Sequence, residues 1–320
     1  MQPRAIRTVE TNGVRLRCVV EGEGPLVILL HGFPQCWYLW RHQIDPLVAA
    51  GYQVAVPDQR GYGESDSPPN IEDFNIRALC GDVAGIARAL GHERFIVVGH
   101  DWGCIVAWNT ALLHEDTCRA VMGLSVPGWR FGVEALNPPG MDDRFWYMRH
   151  FQTPGLAERE MEADLRTNLL RLYYSASADA PRGAFLAQLG FPKGTPMPEV
   201  LPPAPALPLA WMSEADMDYY VQEYTASGLR GPINWYRNIP TNSALTPELE
   251  RKPVSQPAAF VAGSVDPVLE FSPGWREKLE QRVTDLRFIE LIEGAGHWLQ
   301  VEQPEATTAQ ILRFLREVAG

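Results

Sequence analysis

The sequence predicts an α/β fold in which a mostly parallel eight-stranded sheet is flanked by helices. Short apolar runs alternate with helical patterns along most of the chain, and this order favours parallel strands joined by crossover helices. The alternation stops between residues 128 and 249, where aromatic residues, methionines and prolines accumulate and the apolar spacing is helical. With 320 residues, 46% of them hydrophobic, the chain can bury one large core. We therefore expect a core domain of residues 1–127 and 250–320, with residues 128–249 inserted as a helical cap.

Six strands are predicted in the first part of the core. Asn12-Gly13 is a typical two-residue turn, so the segments on either side of it should form a β-hairpin. The runs PLVILL and YQVAVP that follow have the continuous apolar character of strands buried on both faces of a sheet. The predicted strands are 4–10, 14–21, 25–30, 52–57, 94–98 and 118–124, and the predicted helices are 37–50, 74–90 and 104–113.

The inserted segment and the end of the chain complete the prediction. The clearest helices of the cap are 156–174 and 213–227. Seven prolines between residues 191 and 208 predict a long extended loop. After the cap, strands are expected at 258–262 and 286–291, with helices at 273–282 and 304–318.

Composition excludes several classes of partner. The formal net charge of −11 argues against nucleic acid or an anionic membrane surface as a partner. No apolar run is long enough to span a membrane, and the amino-terminal stretch has no apolar segment of a secretory signal. Five scattered cysteines without metal-ligand spacing favour reduced thiols and a cytoplasmic location. A monomer and a homodimer are equally compatible with the sequence.

The stretch Gly99-His-Asp-Trp-Gly103 lies between a predicted strand and a predicted helix. A small-x-nucleophile-x-small turn in this context is the nucleophile elbow of the α/β-hydrolase fold. Its glycines allow a sharp turn that lifts the central side chain above the sheet. Here that side chain is the carboxylate of Asp101 rather than a serine hydroxyl.

An acid and a base are expected after the nucleophile, in that chain order. Asp266 and His297 supply them, and like Asp101 each follows a predicted strand, at the sheet edge where ligands bind in such folds. The alternative position for the acid, residues 125–127, holds no carboxylate. A single aspartate in a turn is more often a cap or turn residue, but that interpretation does not explain three residues in the required order.

A carboxylate nucleophile restricts the chemistry. It is ionised at neutral pH without a base, and attack on an ester or amide would give an unstable anhydride. Attack on a saturated carbon gives an alkyl ester instead, which water activated by His297 could hydrolyse while Asp266 orients the ring. The backbone N–H groups of Phe33 and Trp102 are placed to stabilise the oxyanion.

The leaving group decides which substrate is favoured. A halide needs N–H donors, whereas an epoxide oxygen needs a proton donor, for which a tyrosine phenol is suitable. The residues alone do not select one tyrosine of the cap. The candidates are Tyr147, Tyr173, Tyr174, Tyr219, Tyr220, Tyr224 and Tyr236.

Four stretches together resemble the motifs of α/β-hydrolase-fold epoxide hydrolases, over nearly the full length of the chain: HGFP from residue 31, GHDWG from 99, FQTPGLAE from 151 and GLRGPINWYRN from 228. The resemblance implies hydrolysis of epoxides to vicinal diols, without a cofactor or metal. It further implies that Tyr147 and Tyr236 donate to the epoxide oxygen. The residues expected to contact the substrate are Phe33, Trp102, Met148, Phe151 and Trp235.

Three other functions are less consistent with particular residues of this chain. Haloalkane dehalogenases typically have His-Gly-Asn-Pro, whose Asn binds halide, and position 33 here is Phe. Fluoroacetate dehalogenases carry Arg after the nucleophile, where this chain has Trp102. A binding module without activity would have no reason to combine Asp101, Asp266 and His297. Assays of diol and of chloride release distinguish these classes.

Overall fold

The computed structural model describes residues 4–128 and 132–319, and its centre is an eight-stranded sheet. The strand order is β1-β2-β4-β3-β5-β6-β7-β8, with β2 antiparallel to both of its neighbours and all other pairs parallel. The predicted fold class is therefore confirmed. The strands are β1 Ile6–Thr11, β2 Val14–Glu21, β3 Leu26–Leu30, β4 Gln53–Pro57, β5 Phe95–His100, β6 Cys118–Leu124, β7 Ala258–Gly263 and β8 Leu286–Ile292.

Helices cover both faces of this sheet, and every residue of the central strands β3, β5 and β7 is buried. In order, the helices are α1 Ile44–Ala49, α2 Ile76–Ala89, α3 Trp102–Leu113, α4 Tyr147–His150, α5 Leu156–Glu162, α6 Leu165–Ala176, α7 Met197–Val200, α8 Glu214–Ser227, α9 Arg230–Arg237, α10 Ile239–Leu245, α11 Pro267–Glu270, α12 Trp275–Arg282, α13 Leu299–Glu302 and α14 Pro304–Val318. Among these helices none has the length and apolar character that crossing a membrane requires. The five cysteines are buried and free.

Three predicted elements differ from the structure. The single helix expected at 37–50 is a 3₁₀ turn, Trp37–Trp40, followed by α1, because Pro46 is tolerated only in the first turn of a helix. The helix expected at 156–174 is interrupted where the Asp164 side chain caps α6 by accepting from the Thr167 N–H. The loop expected at 191–208 contains the short helix α7, with Pro198 in its first turn.

The helices of residues 132–249 lie over the carboxyl edge of the sheet. The Tyr173 hydroxyl donates to the Pro34 carbonyl, and the Tyr224 hydroxyl donates to the Gln35 carbonyl at 2.9 Å, so α6 and α8 contact the loop after β3. The Trp298 indole donates to the Tyr173 carbonyl at 2.7 Å, which links α6 to the loop after β8. The inserted segment thus encloses the edge where the strands end.

Close packing of α3 on the sheet requires glycine at the elbow. A Cβ atom on Gly103 would lie 2.3 Å from the Leu30 carbonyl oxygen, and one on Gly99 would lie 2.0 Å from the Gly103 carbonyl oxygen. Real Cβ atoms do not approach backbone this closely, so any larger residue would push α3 away from β3.

Gly103→Ala is expected to destabilise the protein by about 1–3 kcal/mol, because the added methyl group would overpack the contact between α3 and β3. Urea unfolding measures this loss. Gly190→Ala is the matched control, since Gly190 is exposed and a Cβ atom there would have nothing within 4 Å. Equal unfolding midpoints for the two variants would contradict the explanation.

Candidate active site

Strands β5, β7 and β8 of the parallel part of the sheet bring three predicted residues together. Asp101 directly follows β5, Asp266 follows β7, and His297 lies in the base loop, which we define as residues 293–298 after β8. The Nε2 atom of His297 is 3.6 Å from Asp101 Oδ2, and its Nδ1 atom is 3.1 Å from Asp266 Oδ1. The arrangement can therefore support a nucleophile, a base and an acid that orients the base.

Asp101 occupies a strained turn. Its φ of 54° and ψ of −122° are unfavourable for a residue with a side chain, and such strain is typical of functional sites. Gly32 makes room for the carboxylate, because a Cβ atom there would lie 2.3 Å from Asp101 Oδ1. The Phe33 N–H donates to that same oxygen at 2.8 Å, while Trp102 begins α3. Two backbone donors, one of them at a helix amino terminus, thus adjoin the carboxylate.

The charges of this set depend on one another. Burial alone would raise the pKa of Asp101, but the hydrogen bond and positive charge of His297 lower it below its ordinary value. Burial opposes the charged form of His297, yet the carboxylates of Asp266 and Asp101 raise its pKa above the ordinary value. The free site therefore holds an ionised nucleophile next to a protonated imidazole.

The two predicted tyrosines share a cavity with the nucleophile. Tyr147 begins α4 and Tyr236 lies in α9, with ring centroids 5.9 Å apart. Burial, and then the negative charge of Asp101, raise the pKa of both phenols above the ordinary value. Both therefore carry their proton at neutral pH and can donate it.

The cavity has a volume of about 1050 Å³ and is mostly apolar. Two of the predicted substrate contacts, Trp102 and Met148, line it. Phe33, Phe151 and Trp235 are not among its described lining residues. The predicted contact from these three side chains is therefore not seen in the cavity wall.

Those three side chains support the wall from behind. The rings of Phe33 and Phe151 pack edge-to-face on Tyr236, with centroids 5.5 and 5.0 Å away. Trp235 is fully buried, and its indole N–H donates to the Arg60 carbonyl at 3.1 Å. An aromatic residue in a short helix has no sequence signal that tells the cavity side from the packed side.

Two of the resembling motifs contact each other and thereby set the spacing of the tyrosines. The Gln152 amide donates to the carbonyls of Met148, in α4, and Tyr236, at 2.8 and 3.0 Å. The Arg237 guanidinium makes a bidentate pair with the buried carboxylate of Glu158, at 2.7 and 2.9 Å. These contacts tie α4 to α9, so the two phenols are held in one rigid frame.

Ser125 is a polar residue of the site that the sequence reasoning missed. It is fully buried, has a φ of +75°, and its hydroxyl lies 2.8 Å from His297 Nδ1 while donating to Asp266 Oδ2. The acid of such a site is expected to be a carboxylate, so the hydroxyl of Ser125 after β6 is not an obvious candidate. The available signal is the position of Ser125 directly after β6, the strand that lies between β5 of Asp101 and β7 of Asp266.

The histidines near the elbow have structural contacts. His31 accepts from the Gln59 N–H at 3.0 Å, as expected for a residue that braces its loop. Burial lowers the pKa of His100 to about 3, so this ring is neutral. Its Nε2 atom is 2.8 Å from the His297 carbonyl oxygen and so donates to it. Within residues 4–128 and 132–319, no group of three or more His, Cys, Asp or Glu side chains is arranged to hold a metal ion.

Comparison with known proteins places this fold in a family. The family model of the alpha/beta hydrolase fold matches residues 25–304, and the chain belongs to that family. Epoxide hydrolase A of Mycobacterium tuberculosis is 42% identical over 323 residues, which cover 97% of this chain and 96% of the relative. Within the fold family, the chain is a member of the epoxide hydrolases, which confirms the predicted resemblance.

Solved structures agree with this placement. An epoxide hydrolase from an endophytic Streptomyces has a TM-score of 0.95 at 35% identity, covering 100% of this chain and 97% of that one. Epoxide hydrolase A from Mycobacterium thermoresistibile has a TM-score of 0.91 at 41% identity, with 98% of each chain covered. The similarity therefore includes the inserted segment as well as the sheet.

Asp101→Asn is expected to lower the pKa of His297, because the protonated ring loses a negative partner 3.6 Å away. Titration of the His297 ring by NMR measures the change, and intact mass verifies that the amide persists. Glu134→Gln is the control, since Glu134 also lines the cavity and its replacement removes the same charge. An unchanged pKa of His297 in Asp101→Asn would refute the coupling.

Proposed function

We propose that the protein hydrolyses epoxides to vicinal diols through a covalent ester on Asp101. The observation that carries the proposal is the combination of an ionised carboxylate and two protonated phenols around one apolar cavity. A carboxylate can open a strained ring only if the departing oxygen is protonated or strongly hydrogen-bonded, and Tyr147 and Tyr236 supply that function.

In the first step, one oxygen of Asp101 attacks a ring carbon and the bond from that carbon to the epoxide oxygen breaks. Oδ1 is held by the Phe33 N–H, so Oδ2 is the oxygen available to attack. Tyr147 or Tyr236 transfers its proton to the released oxygen, and the other phenol stabilises it by a hydrogen bond. The products are a hydroxyalkyl ester of Asp101 and one tyrosinate.

Ester formation changes the charge next to His297, and this change favours the second step. The ester is neutral, so one of the two carboxylates that raise the pKa of His297 disappears. The imidazole can then release its proton, while the tyrosinate takes one up, and the protein returns to the same net charge. His297 becomes a neutral base only once there is an ester to hydrolyse.

In the second step, His297 takes a proton from water, and the resulting hydroxide attacks the carbonyl carbon of the Asp101 ester. The negative charge develops on Oδ1, next to the Phe33 N–H and the amino terminus of α3 where Trp102 lies. Collapse of the tetrahedral intermediate breaks the bond to the diol oxygen, which takes the proton of the hydroxyl group that water added, so the diol is released and the carboxylate is restored. Asp266 stabilises the charged imidazole and orients its ring.

The division into two domains supports this chemistry. We place the nucleophile, acid and base on a core domain of residues 1–127 and 250–320, and the proton donors on a cap of residues 128–249. The contacts of α6 and α8 with the loop after β3 support this assignment. Chemistry then occurs between the two parts, away from bulk water.

His297→Gln is expected to trap the ester, because ring opening needs only Asp101 and the tyrosines whereas hydrolysis needs the base. Mass spectrometry should show an increase equal to the mass of the epoxide, on the peptide that contains Asp101. Asp101→Ala is the control and should show neither adduct nor turnover. Activity in that control without any adduct in His297→Gln would exclude the covalent mechanism.

Tyr236→Phe is expected to slow ester formation by roughly 10²-fold or more, the usual contribution of a general acid, and the further change Tyr147→Phe should abolish it. Single-turnover rates measure this step directly. Tyr219→Phe is the control, because that hydroxyl accepts from the Trp37 indole outside the cavity. Unchanged rates in the double variant would remove the tyrosines from the mechanism.

A further inference from the structure

Glu302, the last residue of α13, contacts the backbone on both sides of His297. Its Oε2 atom accepts from the Gly296 N–H at 3.0 Å, and its Oε1 atom accepts from the Trp298 N–H at 2.8 Å. Oε2 also accepts from the Ala178 N–H at 2.7 Å, in the inserted segment just after α6. One carboxylate therefore satisfies three backbone donors that belong to two separate parts of the fold.

The backbone of His297 itself is fixed by the same neighbours. Its N–H donates at 2.9 Å to the carbonyl of Ala176, the last residue of α6, and its carbonyl accepts from His100. Gly296 and Ala178 are in direct contact, since a Cβ atom on Gly296 would lie 2.5 Å from the Ala178 nitrogen. Backbone groups therefore join the base loop to residues 176–178, and these contacts form without a substrate.

We infer that Glu302 is a positioning residue that fixes the base loop against the cap and so holds His297 in place for hydrolysis of the Asp101 ester. The inference rests on the proposed function, because it assigns Glu302 to the second of its two steps. Ring opening does not use the base, so that step should not depend on Glu302. The cap then contributes to catalysis twice, through its tyrosines and through the position of His297.

The chemistry of the side chain agrees with this role. A carboxylate has two acceptor oxygens, and its hydrogen bonds to N–H groups are charge-assisted and short. Burial raises the pKa of Glu302 to about 7, against the opposing effect of its three N–H donors. Glutamine keeps the shape but offers a single acceptor oxygen, and its NH₂ group would face at least one of the three N–H donors.

Single-turnover kinetics of Glu302→Gln with styrene oxide test the inference, at a pH well above the pKa of Glu302. Rapid quenching and mass spectrometry separate formation of the Asp101 ester from its hydrolysis. We expect hydrolysis to slow by at least about tenfold, since small displacements of a catalytic group have large effects, while the rate of ester formation is retained. The ester should then accumulate during turnover. Glu305→Gln, an exposed position with the same change of charge, should match the wild type.

Two outcomes would overturn the inference: an unchanged rate of hydrolysis in Glu302→Gln, or equal slowing of both steps, which a general loss of structure would produce. If His297→Gln forms no Asp101 ester with the same epoxide, the proposed function itself fails, and the two failures are thus distinguished.

Ala178→Pro provides a second test that leaves the acid in place, which matters if Glu302→Gln folds poorly. It replaces the N–H donor on the cap side by a ring carbon, which cannot bond to Glu302 and pushes against its Oε2 atom, and Ser177 before it already has the extended backbone that precedes proline. Slower ester hydrolysis in this variant supports the tie between the cap and the base loop. Hydrolysis at the wild-type rate overturns it.

Discussion

His297 lies between two carboxylates, and the rest of the site depends on that arrangement. Asp266 contacts one ring nitrogen at 3.1 Å and Asp101 faces the other at 3.6 Å. A buried carboxylate is costly unless it is paired, and here a single imidazolium pairs with both. Because the two interactions share the one positive charge of the ring, any change in the charge of Asp101 alters the basicity of His297. Asp101 and His297 are therefore not independent parts of the site.

The strain at the elbow is sustained by close packing. Asp101 has an unfavourable backbone conformation, and it persists because α3 is packed against β5 at Gly99 and against β3 at Gly103. The same packing places the first turn of α3 next to the carboxylate, and Gly32 brings the Phe33 N–H to Oδ1. Two backbone donors thus adjoin the carboxylate before any substrate arrives, and in the proposed mechanism they stabilise the oxyanion without a cost of reorganisation.

Local patterns in the sequence predict the sheet, because buried strands have continuous apolar runs and the elbow motif lies between a strand and a helix. They also predict that Asp101, Asp266 and His297 lie together, since strand ends in a parallel sheet meet at one edge. They do not predict where helices break. The break before α6 depends on the Asp164 side chain, which accepts a hydrogen bond from the Thr167 N–H.

Contacts between distant parts of the chain lie outside such reasoning. Ser125 and His297 are 172 residues apart, and Glu302 and Ala178 are 124 residues apart. Their side chains are ordinary for a turn and a helix end, so nothing local distinguishes them. The role of Trp235 as packing rather than cavity wall depends in the same way on which face of α9 is covered.

The frame formed by Gln152, Glu158 and Arg237 has a consequence for how substrate range can diversify. The frame fixes both phenols, whereas much of the cavity wall comes from residues outside it, such as Met141, Leu186 and Leu189. Substitutions in that outer wall change the shape offered to a substrate without moving the two phenols. Under the proposed mechanism, selectivity and acid catalysis are therefore separable, because the wall can change while the proton donors keep their positions.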